Sequence, residues 1–166
     1  MTVVKNHGDY CVLACLESFL ADHGRRRSWE QIRDLLESQN ICNHAGTVHN
    51  LEAFEAGCRL LGLHPKKIPF HFPVREEFWD ESLFVFSTQP GFHCVRFYDY
   101  LEPTEGQPAK VLVMDPDWKK DANVQEFKVI DGGQFQEMNP TFYRLKFGAV
   151  PYSLDMRYEG ILKATS

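Results

Sequence analysis

At 166 residues, 43% apolar and 25% charged, the chain has the length and composition of one domain with a real core, expected to span residues 1–166, and its net charge of −5 argues against generic nucleic-acid binding. Met1 to His7 lacks the apolar stretch of a signal peptide. No apolar run approaches the roughly 18 residues that span a bilayer, so the expectation is a cytoplasmic protein by default, with no membrane partner. The five cysteines, Cys11, Cys15, Cys42, Cys58 and Cys94, are odd in number and irregularly spaced, which fits reduced thiols better than a disulfide framework.

The first third reads helical. Val12, Leu13, Leu16, Phe19 and Leu20 recur at helical spacing, and Gly24 ends the run. The short basic run Arg25-Arg26-Arg27 that follows reads as a solvated turn. Ser28 and Gln31 form a capping box for a second helix that carries Trp29, Ile32, Leu35 and Leu36. A third helix is expected from near Thr47, burying Leu51, Phe54, Cys58 and Leu61 and stopping at Gly62.

Beyond Pro65 the pattern changes to strands at 67–70, 82–87, 92–100 and 110–114. Pro103, Gly106 and Pro108 mark the loop of an antiparallel hairpin between the last two. Two further strands are expected at 125–130 and 142–147, with Asp131-Gly132-Gly133 as a turn between them, and the tail from Pro151 shows no clear pattern. Helices first and an antiparallel sheet second predict an α+β fold.

Three residues carry the chemistry. Cys11 opens the first helix directly after a polar loop, where unpaired N–H groups favour the thiolate that attacks carbonyls. His93 begins a strand, and an imidazole beside a thiol can take its proton. Asp115 ends the partner strand of the hairpin. Antiparallel pairing returns it to the start of the His93 strand, where it would fix the imidazole tautomer, with Asp117 as the substitute. Cys15, one helical turn after Cys11, reads as core, and His7 as a surface residue. Cys42, His44 and His49 match no zinc-finger spacing, and His49 is expected inside the third helix, so they read as a polar loop. No metal and no cofactor are expected.

The order cysteine, histidine, aspartate resembles the papain-like cysteine peptidases. Cys11-Val12-Leu13-Ala14-Cys15-Leu16, His23-Gly24, the Arg59 to Leu63 segment, His93 and Asp115-Pro116 are most similar to the bacteriocin-processing peptidases, which cut leader peptides after a double glycine. The resemblance implies a papain-like fold with N-terminal helices packed on a C-terminal antiparallel sheet. It also implies a stand-alone cysteine peptidase working on a peptide or protein substrate through a Cys11-His93-Asp115 triad and a thioester.

The family places glutamine at the position of Lys5 as an oxyanion-hole donor. Here Asn6 or Lys5 would take that part, with the backbone N–H of Cys11. Tyr10 and Val12 also depart from the family's Asp and Gly. The alternatives are a catalytically inactive papain-like peptide-binding module, and a papain-like glutamine deamidase or acyltransferase.

Overall fold

The computed structural model describes residues 1, 2, 4, 8, 10–69, 82–87, 92–117 and 128–147. Lys5, Asn6, His7, Asp9, the end of the strand expected at 67–70, residues 125–127 and the tail from Pro151 lie outside them.

Three helices open the fold: α1 (Cys11–Asp22), α2 (Trp29–Ser38) and α3 (Leu51–Leu60). Nearly every side of α1 is buried: Cys11 to Leu16, Ser18, Phe19 and Leu20 all lie inside. Its C-terminal turn closes where Gly24 takes a left-handed φ of 74°, open to a residue without Cβ at little cost. The capping box on α2 is present in both directions. The Ser28 hydroxyl accepts from Gln31 N–H at 3.2 Å, and the Gln31 side chain accepts from Ser28 N–H at 3.0 Å.

The third helix starts later than expected. Asn50 is its cap, accepting from Ala53 N–H at 2.8 Å, whereas Thr47 N–H is taken by the Asn43 side chain at 2.9 Å. His49 therefore precedes the helix. Nor is the arginine run wholly a solvated turn, because the Arg25 guanidinium sits 4.4 Å from the centre of the Phe147 ring.

Among the described residues six strands follow in one antiparallel sheet: β1 (Leu63–Lys67), β2 (Ser82–Ser87), β3 (Phe92–Leu101), β4 (Lys110–Met114), β5 (Lys128–Asp131) and β6 (Thr141–Phe147). Their spatial order is β1-β6-β2-β3-β4-β5, so β6 returns to lie between the first two. The fold is thus α+β, with the helices before the sheet. The first strand lies upstream of the expected 67–70 because β1 is an edge strand, where Pro65 is tolerated. The expected turn at Asp131-Gly132-Gly133 instead begins a short helix, α4 (Gly132–Glu137). Asp131 caps it, accepting from Gly133 N–H at 2.9 Å and Gln134 N–H at 3.3 Å.

The sheet is buried on both faces. Against α1–α3 lie Leu63, Leu83, Val85, Cys94, Met114, Tyr143 and Leu145. The opposite face forms a second core of Val95, Phe97, Val111, Val113, Ile130 and Phe142, closed by Phe135 from α4. With apolar side chains on both faces, the sheet holds the β3–β4 hairpin rigidly against α1.

Candidate active site

The site forms where the N-terminus of α1 meets the start of β3. Tyr10 caps α1 through its backbone, Ala14 N–H reaching its carbonyl at 2.9 Å, while its ring stacks on Trp29 with centroids 3.9 Å apart. Gly46 runs beneath that stack at a φ of 85°. A Cβ there would lie 3.0 Å from Tyr10 Cβ and 3.2 Å from Leu13 Cδ2. Tyr10 is thus a packing residue at the head of α1, directly before Cys11.

Cys11 is only 7% exposed, more deeply set than its place after a loop implies, and its sulfur lies 3.6 Å from the Phe92 carbonyl oxygen. The cause is the central position of α1, which buries even its first turn. Cys15, on the next turn, is fully buried and its sulfur lies 3.4 Å from the Cys94 carbonyl. All five cysteines are free, as their spacing predicts.

The hairpin register brings Asp115 back to His93. Arg96 pairs with Met114, so the residues just before Arg96 and just after Met114 meet at one end of the ladder. The bulge between Phe97 and Asp99 falls beyond this pairing and leaves that end in register. His93 Nε2 and Asp115 Oδ1 are 2.9 Å apart, with side-chain exposures of 24% and 6%. The same Asp115 oxygen accepts from Asp117 N–H at 2.9 Å, which folds the Asp-Pro-Asp turn around the imidazole. On the other ring nitrogen, Asp117 Oδ2 lies 3.3 Å from Nδ1. Cys11, His93 and Asp115 are therefore gathered in one place. Asp117 joins them on the nitrogen that Asp115 does not use, so it is an additional neighbour and not a substitute for Asp115.

Burial works against a charged His93. It is outweighed by the Asp115 carboxylate on Nε2, with Cys11 beside the ring acting in the same direction, and these push the imidazole up to about 10. The imidazolium is the favoured form at neutral pH. Elsewhere burial pushes the Cys58 and Cys94 thiols up, and holds Cys42 at about 11, so these three remain protonated thiols.

Metal ligation fits neither cluster well. Cys42 points its sulfur to the Arg33 carbonyl at 3.7 Å and His44 faces Glu37 at 3.2 Å, so the loop does not converge on a common centre. Ligand atoms of His93, Asp115 and Asp117 do lie within 4.8 Å of one another, but both ring nitrogens there already face carboxylates. The oxyanion candidates Asn6 and Lys5 lie outside the described residues. The first turn of α1 still presents backbone N–H groups that have no helical carbonyl to bind.

One group escaped the sequence reading. Arg96, 1% exposed on the α1 side of β3, donates to the Ser18 hydroxyl at 2.6 Å and to Asp22 Oδ2 at 2.7 Å. Asp22 Oδ1 in turn accepts from Thr2 N–H at 2.8 Å and the Thr2 hydroxyl at 2.7 Å, and the Ser18 hydroxyl donates to the Thr2 carbonyl. This network ties the start of the chain, α1 and β3 together behind the site. An arginine in an apolar strand, with an aspartate at the end of the first helix, was the available signal.

No protein-family model matches the chain, and no curated protein matches it. Among solved structures it is similar to the peptidase domain of Streptococcus ComA, a bi-functional ABC transporter involved in a quorum-sensing pathway. The TM-score is 0.54 at 17% identity, over 86% of this chain and 93% of that one. At that identity the likeness shows the fold, helices against an antiparallel sheet, as the sequence resemblance implies. No helix among the described residues is long and apolar enough to cross a membrane.

Proposed function

We propose that the chain is a thiol-dependent amide-bond hydrolase, a cysteine peptidase acting on peptide or protein substrates. Cys11 is the nucleophile, His93 its general base and acid, and Asp115 the residue that orients His93. The observation that carries the reading is the Asp115 carboxylate 2.9 Å from one imidazole nitrogen, with Cys11 beside the same ring at the head of α1. That leaves an imidazolium to stabilise a thiolate at the mouth of a helix.

In the first half-reaction the Cys11 thiolate adds to the carbonyl carbon. The oxyanion is met by backbone N–H groups at the start of α1, with Asn6 or Lys5 the proposed side-chain donors. His93 gives its proton to the departing amine as the C–N bond breaks, leaving a thioester on Cys11. In the second half-reaction His93 takes a proton from water, the resulting hydroxide attacks the thioester, and the carboxylic acid leaves as the thiolate re-forms. The same steps with ammonia departing describe glutamine deamidation, and with an amine in place of water describe acyl transfer. A peptide bond is the reading supported by the likeness to a peptidase domain.

Incubation with a proteome-derived peptide library, read by mass spectrometry, tests the proposal. The parent should generate new termini that Cys11→Ala does not. Peptides retained uncut by parent and variant alike would instead identify a binding module.

A further inference from the structure

The second carboxylate at His93 has a consequence for substrate choice, resting on the hydrolase reading above. Asp115, almost wholly buried, already holds Nε2 at 2.9 Å, and one carboxylate suffices to fix a tautomer. Asp117 stands on the other nitrogen, 3.3 Å from Nδ1, with a side-chain exposure of 49%. Asp117 thus sits at the imidazole on the side away from Asp115. There one imidazolium faces three acidic groups, the Cys11 thiol, Asp115 and Asp117, and of the two aspartates Asp117 is the one that reaches solvent.

We propose that Asp117 is a substrate-selecting residue that favours a basic side chain, lysine or arginine, beside the bond that is cut. The half-exposed carboxylate offers such a side chain an ion pair within a few ångström of the catalytic imidazole. It repels an acidic one and leaves a neutral one unaided.

The test uses the whole protein and needs no known substrate. Rates of Cys11 modification are measured by mass spectrometry with three methanethiosulfonates: a neutral methyl, a cationic aminoethyl and an anionic sulfonatoethyl reagent. In each, the thiolate forms a mixed disulfide and expels methanesulfinate, so the two charged reagents differ chiefly in the sign of the charge beside the sulfur. The parent should prefer the cationic reagent. That cationic-to-anionic ratio should fall about fivefold in Asp117→Asn, the effect of one unit charge at a partly wet site. It should survive in Asp117→Glu, and in Glu105→Gln, a control in the β3–β4 loop. A ratio unchanged in Asp117→Asn overturns the proposal, as does an equal loss in Asp117→Glu, which would mark a structural effect of the turn.

The two readings fail differently. Fast reaction with the neutral reagent but no charge preference removes the role of Asp117 alone. Inertness of Cys11 to all three reagents removes the hydrolase reading and this inference with it.

Discussion

Asp115→Asn should lower amide hydrolysis at pH 7 by about a hundredfold or more, the scale seen when the orienting carboxylate of a nucleophilic triad loses its charge. The amide keeps the volume and can still accept from Asp117 N–H, so the hairpin end survives. What is lost is the negative charge 2.9 Å from Nε2. With it goes much of what lifts His93 to about 10 against the opposing effect of burial. The imidazole then tends to neutrality, and the Cys11 thiolate loses its counter-ion.

The same change has a sign in stability. A raised histidine pKa contributes stability that is fully present below the unfolded value near 6.5 and is lost as pH climbs through about 10. The parent should therefore lose stability between those values, and Asp115→Asn should flatten that part of the curve. Urea denaturation at several pH values, beside a peptide cleavage assay, reads both. Full activity in Asp115→Asn would remove Asp115 from the mechanism.

Asp22→Ala should cost about 3 kcal/mol of stability, at the low end for breaking a buried ion pair because water can partly reach Asp22. The change removes the Asp22 carboxylate from the Arg96 guanidinium, which lies 1% exposed beside the Phe19 ring at 5.4 Å. It also releases both Thr2 hydrogen bonds to the Asp22 carboxylate. For a chain of this length that loss lowers the melting temperature by about 10 °C. The Asp22 carboxyl is held below its ordinary value because the Thr2 and Arg96 hydrogen bonds outweigh the desolvation that opposes them. Its contribution is present above pH 3.8 and fades as pH falls below. A loss under about 1 kcal/mol in urea denaturation would show that Arg96 finds adequate hydration without Asp22.

What could be read from the sequence was what neighbours in the chain decide. The Ser28–Gln31 box, the Gly24 stop and the hairpin around Gly106 rest on residues a few positions apart, and each appears in the structure. The meeting of His93 and Asp115 was equally legible, because antiparallel register turns a sequence separation into a spatial one. Boundaries decided by tertiary position were less legible. Pro65 reads as a break until β1 is known to be an edge, and Asp131-Gly132-Gly133 reads as a turn until Phe135 finds the second core. The return of β6 between β1 and β2, the Tyr10–Trp29 stack and the Arg96 network depend on pairings across the whole chain, which no local pattern encodes. The depth of Cys11 belongs with them, since the burial of α1 on nearly all sides comes from what packs around it.

The central claim is that Cys11 and His93 form a thiolate–imidazolium pair. Its most direct measurement is the pH dependence of iodoacetamide labelling at each cysteine, mapped by mass spectrometry in the parent and in His93→Ala. The account predicts that Cys11 alone labels quickly near neutral pH, and that His93→Ala abolishes the difference. Labelling of Cys11 no faster than that of Cys15, Cys42, Cys58 or Cys94, or unchanged in His93→Ala, would contradict it.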